Sequence, residues 1–456
     1  MVTPKYDRGY YPLIKALENF EARVKSEKPE NTQNIKIAVE RNGGNVYVYS
    51  YTGLKDGVDD ELNYRIAERM VKTILWVCGG YKIFVLGSKV VYDGLNAAYK
   101  QGGARAFDED FMSTVYEKPF EVIFCTEENF PKEKKSSVKV GGFLKGCRIG
   151  FDAGGSDRKV SAVIDGEVVY SEETVWHPKT TSDPEYHYNG IKEAMLTAAS
   201  KMPRVDSIGV SSAGVYIDNK IMVASLFIKV DKEKHGDYVK NMYINVAKEL
   251  GVPIQVVNDG DVTALAGAMD MKDNCVLGIA MGTSEAGGYI NNEGCINGWL
   301  SELAFVPVDY SENAMTDEWS GDKGVGCKYF SQDAVIKLAE NGGFKFEDGL
   351  TPAEKLKVIQ KLAENDDRFA LDIFRDIGIY LAYTIPFYAR FYEMRHLMLL
   401  GRVMSGKGGE KILSTCKEVL LKEYPEFANI DIALPSEYVR RVGQSIAAAS
   451  LCEDKI

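Results

Sequence analysis

The sequence contains no Cys-x-x-Cys pair, only four histidines, and no uncharged apolar run near the ~18–20 residues that cross a bilayer as a helix. The eight cysteines (78, 125, 147, 275, 295, 327, 416 and 452) therefore stand singly, and those inside apolar runs, such as Cys78 and Cys125, read as small core residues. This usage, with a charged N-terminus unlike a signal peptide, leads to the expectation of a reducing, cytoplasmic setting and no membrane partner. The histidines, at 177, 187, 235 and 396, are too scattered for a metal cluster. Basic residues are the minority, 55 Lys and Arg against 66 Asp and Glu, for a net charge of -11. Nucleic acid is thereby disfavoured as the main partner, because phosphate backbones are held by clustered cations. Nucleotides are not excluded, since backbone amides and a metal ion grip them locally.

What is present fits a globular protein: 456 residues, 45% apolar and 27% charged, enough for two to three domains. Residues 35–41 and 46–51 alternate as strands around Asn42-Gly43-Gly44-Asn45, a β-hairpin signal. Helix 59–77, strand 83–86, helix 90–100 and strand 121–125 complete a small α/β unit, expected to span 1–140. The charged stretch 127–139 is the best boundary. Beyond it, strand 148–152 runs into Ala153-Gly154-Gly155-Ser156, and strands 159–164 and 167–171 follow. Helix 188–202, strand 207–211, helix 235–250 and strand 254–257 continue the alternation. The opening device then recurs. Strand 276–281 runs into Gly282-Thr283-Ser284, a return strand turns at 292–294, and a third strand is expected. A long helix at 368–393, a strand at 397–400 and a helical region close the chain. Alternating strands and helices with a repeated hairpin imply an α/β protein of two similar lobes, 147–270 and 271–456.

Three loops carry candidate chemistry. Glycine lets backbone amides converge on a phosphate, and Gly154, Gly155 and Ser156 supply such a turn with Asp152 at its mouth. A carboxylate there can hold Mg²⁺, chiefly through water. Gly282, Thr283 and Ser284 make a second cradle. Between them, strand 254–257 delivers Asn258, Asp259 and Asp261 to a strand end, where ligand sites of α/β proteins form. Asp259 can there accept a proton from a hydroxyl attacking phosphorus. The competing reading is that Asp259 or Asp261 caps the helix that follows. Residues 401–407 match GxxxxGK, but Gly408 stands where a P-loop needs Ser or Thr.

In this order, IGFDAGGSDRKVSAVIDGEVV, IGVSSAGVYIDNKI, VVNDGDVTALAGA, LGIAMGTSEAGGYI and GWLSELAFVPV resemble the ROK family of bacterial sugar kinases, within the sugar kinase, Hsp70 and actin superfamily. The resemblance covers about 147–456. It implies a two-lobed, actin-like (ribonuclease H-like) ATPase fold preceded by the α/β unit, with Mg²⁺-ATP held between the lobes. It implies Asp259 as general base and Asp152 on the metal. Gly154, Gly155, Ser156, Gly282, Thr283 and Ser284 would hold phosphates, and Gly401 and Gly406 adenosine. Gly214, Asn258 and Glu302 would bind a sugar or amino sugar, and a homodimer is compatible with the sequence. His177 and His187 lie in a loop-like stretch, 175–190, near the substrate cleft of the superfamily. The clustered aromatics Tyr380, Tyr383, Phe387, Tyr388, Phe391 and Tyr392 read first as core.

The departures concern the substrate side. Phe305 stands where the family's GEIGH motif has His, and Ser301 replaces its first Gly. The zinc motif survives only as Gly326-Cys327, with Ser320 and Asp322 at two cysteine positions, so no zinc is expected. A catalytically silent sugar- or nucleotide-binding sensor is the alternative. A DNA-binding repressor is disfavoured by the non-basic N-terminal unit, and a BadF-type ATPase activator by the isolated cysteines.

Overall fold

The structure, a computed structural model, describes residues 1–135, 139–437, 439 and 443–453; residues 136–138 of the expected boundary stretch lie outside the described residues. The fold is mixed α/β with two actin-like lobes and an N-terminal α/β unit.

The first lobe holds a five-stranded sheet, β11-β8-β5-β6-β7. It is built from β5 (Cys147–Ala153), β6 (Asp157–Ile164), β7 (Glu167–Val175), β8 (Ser207–Ser212) and β11 (Ile254–Asn258). β5, β6 and β7 form an antiparallel meander, while β8 and β11 run parallel to β5 through helical crossovers. β5 reads CRIGFDA with little alternation because almost all of it is buried. Gly150 and Gly209 are register partners on β5 and β8. A side chain at either would strike the backbone of helix Gln444–Ala449, which therefore packs directly on this sheet. That helix falls in the sequence span assigned to the second lobe, and the chain thus returns to the first. A hairpin, β9 (Val215–Ile217) and β10 (Lys220–Val223), was not anticipated.

The second lobe has the order β13-β12-β14-β15, from β12 (Val276–Met281), β13 (Glu285–Ile290), β14 (His396–Leu400) and β15 (Asp431–Ala433). The expected third strand does not form. After the turn at 292–294 the chain makes one bridge, Ile290 to Ile296, and then leaves the sheet. Arg41 of the N-terminal unit takes the carbonyls of Asn297 and Gly298 at 3.0 and 2.6 Å, so this backbone is satisfied outside a ladder.

The N-terminal sheet, β2-β1-β3-β4, contains the expected hairpin of β1 (Thr32–Arg41) and β2 (Asn45–Leu54), with β3 (Lys82–Leu86) and β4 (Glu121–Phe124) beside it. Helices Leu13–Ser26 and Ala106–Tyr116 were not anticipated. The unit is fused to the second lobe. Asp376 accepts the backbone N–H groups of Lys5 and Tyr6 at 2.8 and 2.7 Å, and Asp7 accepts the Tyr380 hydroxyl at 2.7 Å. One apolar core runs from Tyr10 and Leu13 through Trp76 into helix Arg368–Tyr388. That helix stops five residues before its expected end at 393, with Pro386 in its last turn. Tyr380, Tyr383, Phe387, Tyr388 and Tyr392 are buried in this core, and Phe391 packs against it.

Candidate active site

Parallel strands β5, β8 and β11 end at one edge. Asp152 pairs with Ser211 and Asn258 with Ser212 in the ladder, so Asp152, the turn after β8 carrying Gly214, and the start of helix Asp259–Met271 stand side by side. In the second lobe, Ala280 pairs with Leu400, which brings the turns after β12 and β14 together in the same way. These strand ends are where α/β folds form ligand crevices.

The turn at 154–156 is closed by Trp176, whose ring N–H donates to the Gly154 carbonyl at 2.8 Å. Asp152 Oδ1 accepts from Ser211 Oγ at 2.8 Å. Burial, with the charge of Asp259 adding to it, pushes the Asp152 carboxyl up to about 6 despite the Ser211 hydrogen bond. The raised carboxyl shows that the one cation felt there, Lys159, does not offset burial, and Mg²⁺ would fit beside it. Among the described residues no group of three or more His, Cys, Asp or Glu side chains could hold a metal ion. Asp152 would therefore share the ion with phosphate oxygens and water rather than a protein cage.

Lys179 escaped sequence reasoning. A Cβ at Gly155 would stand 3.0 Å from the Lys179 ammonium, so the lysine lies over the phosphate turn. It has no ion-pair partner among the described residues, and its charge is felt by the Asp259 carboxyl. It lies in the 175–190 stretch from which His177 and His187 were selected. His187 is instead structural: fully buried, with ring nitrogens bound to the carbonyls of Asp183, Pro178 and Leu226. His177 is exposed.

The helix cap is Asn258, not Asp259 or Asp261. Asn258 Oδ1 accepts from Gly260 N at 2.7 Å, and its amide donates to the Gly214 carbonyl at 2.8 Å. Asp261 points to β13 and accepts from Tyr289 N at 2.9 Å. Asp259 is left half-buried with a contact to Gly260 N, and burial raises its pKa against the pull of that amide and Lys179.

Glu302 completes the group. Its backbone N–H donates to Trp76 O and that of Ser301 to Val77 O, both at 3.0 Å, so the N-terminal unit fixes this segment. Ser301 sits at φ 49, a left-handed conformation that suits the glycine it replaces. Burial first, then the charges of Asp259 and Asp261, push the Glu302 carboxyl up to about 7; burial and Asp259 do the same to Asp261. The unfolded Glu302 carboxyl titrates near its ordinary value of 4.5, so the folded state binds the extra proton in between, and stability falls as pH rises through about 7. Glu302→Gln, neutral throughout, should match the wild type near pH 4, below the unfolded value, in thermal denaturation. At pH 8 it should be more stable, by about 1–3 kcal/mol. Equal melting shifts at both pH values would exclude the raised carboxyl.

Gly214, Asn258 and Asp261 line a cavity of about 420 Å³ whose other walls include Trp299 and, from the N-terminal unit, Arg41 and Tyr116. Gly401 and Gly406 line a second cavity of about 470 Å³ with Leu434, Pro435 and, from the helix that starts at Asp259, Thr263. Gly401, at φ 96, lies so close to Met281 that a side chain would strike its backbone. Lys407, the lysine of the GxxxxGK match, is held by Asp366 at 2.7 Å, away from any phosphate turn. Thr283 and Ser284 are exposed, and Gly282 is fixed by Ser284 O and Gln332 N. Phe305, at the family's His position, packs on Trp76 with ring centres 4.3 Å apart and the planes tilted by 34°. Asp322, at a cysteine position, pairs with Arg69, Lys72 and Arg105.

No curated protein matches the chain at a significant level. Among solved structures, a ROK hexokinase from Thermus thermophilus is 14% identical, with 66% of this chain and 97% of that one covered and a TM-score of 0.50. A ROK family transcriptional regulator, a homologue of the E. coli MLC protein, is 15% identical over 68% of this chain and 78% of its own, with a TM-score of 0.51. A ROK glucokinase from Streptomyces griseus, in complex with glucose and AMPPNP, is 19% identical over 67% and 98% of the chains, with a TM-score of 0.48. The family model for ROK proteins matches residues 148–446. With that match spanning both lobes and every strand-end turn of the site, the chain belongs to the ROK family.

Proposed function

We propose that the protein transfers the terminal phosphoryl group of ATP to a hydroxyl of a sugar or amino sugar. The reading is carried by the position of Asp259. It stands at a strand end, electrostatically coupled on one side to Asp152 and Lys179 and on the other to Glu302. In this reading the acceptor occupies the cavity at Gly214 and Asn258, with Glu302 accepting a hydroxyl proton in a hydrogen bond. Asp259 takes the proton of the attacking hydroxyl as its oxygen bonds to the γ-phosphorus. The bond from phosphorus to the β,γ-bridging oxygen breaks, and ADP leaves. Mg²⁺, held by Asp152 and the phosphates, would neutralise charge on the β- and γ-oxygens. The amides of 154–156 and 282–284 hold phosphates, and the cavity at Gly401 and Gly406 takes adenosine.

ADP release from Mg²⁺-ATP across hexoses, N-acetylhexosamines and polyols tests the reading. Stimulation by one sugar supports it. Sugar or ATP binding without stimulated turnover would replace it with a sensor on a kinase scaffold. Lys179 takes the role of a γ-phosphate ligand. Lys179→Met should lower kcat/KM for ATP by at least about tenfold, with Lys179→Arg recovering part of the loss. An unchanged kcat/KM would remove the lysine from the site.

A further inference from the structure

The N-terminal unit touches the acceptor side of the cleft at three independent places. Its helix Asp60–Cys78 ends on the backbone of Ser301 and Glu302. Arg41 holds the Asn297 and Gly298 carbonyls, and Trp299 between this segment and Glu302 meets Tyr47 edge-on at 5.9 Å. The unit also reaches across to the first lobe, where Glu117 pairs with Lys240 and helix Ala106–Tyr116 packs beside β10. The cavity at Gly214 and Asn258 lies among these contacts, and Arg41, Asn42, Asn45 and Tyr116 form one of its walls.

We infer that the N-terminal unit is part of the acceptor site: it supplies a wall of side-chain hydrogen-bond donors to an uncharged sugar and fixes the Glu302 segment opposite. The chemistry of the lining sets the ligand class. The unit lines the cavity with the Asn42 carboxamide and the Tyr116 phenol, beside the Arg41 guanidinium and the Asn45 carboxamide that already donate to the carbonyls of Asn297, Gly298 and Asn42. This polar lining suits the ring, hydroxyl and acyl oxygens of a carbohydrate. The indole of Trp299 and the ring of Tyr216 offer flat apolar faces to its C–H groups. The charges are one cation, Arg41, against Asp218 and an Asp261 pushed up to about 7, so the lining offers no surplus of positive charge to select a sugar phosphate or uronate. The volume, about 420 Å³, is that of an ordinary small-molecule site. A role confined to folding would not require the unit to line a polar cavity or to contact both lobes.

The inference rests on the sugar-kinase reading for the identity of the ligand but not for its test. In the full-length chain, Asn42→Ala, Tyr116→Phe and Arg41→Lys are compared with wild type by calorimetric titration of the best sugar from the panel, and by steady-state kinetics. Weaker sugar binding, by about tenfold for Asn42→Ala or Arg41→Lys, with KM for Mg²⁺-ATP within about twofold, is expected. Tyr116→Phe removes one oxygen and guards against misfolding as the explanation. Wild-type turnover with all three variants unchanged toward sugar would overturn the inference and leave the kinase standing. Sugar binding without turnover, weakened in the variants, would uphold the inference and overturn the kinase. Tighter binding of anionic than of neutral sugars would overturn the ligand class.

Discussion

Asp259→Asn is expected to lower kcat by about 10²-fold or more while leaving Mg²⁺-ATP binding within about twofold, because a positioned base contributes about 10²–10⁴ to a proton transfer. The substitution is close to isosteric. The Oδ1 that meets Gly260 N survives in asparagine, and the helix start is secured by Asn258 in any case. A loss of rate would then report the missing base rather than a moved helix. The pH profile supplies a second readout. Burial raises the Asp259 carboxyl and brings its neighbour Asp152 to about 6, so Asp152 loses its charge as pH falls through a range well above that of an exposed aspartate. Without bound ligand, kcat/KM should have an acid limb near pH 6, shared by the coupled pair rather than belonging to either residue. An acid limb near 4 would show the two carboxyls unshifted, and full activity in the Asp259→Asn variant would remove Asp259 as the base.

The parts of the site that could be read from sequence are those built by short stretches of chain. An apolar strand followed at once by Gly-Gly-Ser, by Asn-Asp or by Gly-Thr-Ser states both the element and the edge at which it ends. Asp152, Asp259 and Gly282 were therefore placed at strand ends without knowledge of packing. The five strands of the first lobe's sheet were legible for the same reason, though not their order in it. The local rule failed where a distant segment competed for the backbone. Residues 295–300 carry a strand-like sequence after a Gly turn, yet Arg41, 257 positions from Gly298, satisfies those carbonyls first. Asp261 has the composition of a cap and lies in the first turn, but Tyr289 N on β13 takes its oxygen and leaves the capping to Asn258. Lys179, Arg41 and Tyr116 had no signal of their own, since only the tertiary fold brings them to the cleft. Phe305 and Asp322 stood out as departures from the family pattern, and the N-terminal unit explains both: one packs on Trp76, and the other pairs with cations of the same helix and of its neighbour.

Asp322→Ala should cost about 3–5 kcal/mol of stability, the usual consequence of removing one member of a buried ionic group. Asp322 lies 3.1 Å from Arg69, 3.4 Å from Lys72 and 2.8 Å from Arg105. Glu68 pairs with both arginines, and Asp108 with Lys72 at 2.8 Å. Three carboxylates thus balance three cations, nearly all of them out of solvent, and loss of the Asp322 carboxylate would leave one positive charge unmatched. Burial works against the Asp322 charge, but the three cations overcome it and hold the carboxyl well below its ordinary range. A depressed pKa contributes stability above the unfolded value near 3.8, and that contribution is lost as pH falls toward the folded one. The deficit of the variant, measured by urea denaturation, should therefore be full at pH 7 and shrink below pH 4. An exposed pair such as Lys89 and Asp93 contributes far less, and Asp93→Ala serves as the contrast. Because the same helix ends on Glu302, Asp322→Ala should also raise KM for the sugar more than KM for Mg²⁺-ATP. A urea midpoint equal to wild type would show that the N-terminal unit is held by its apolar contacts alone, with the ionic group adding nothing to its grip on the cleft.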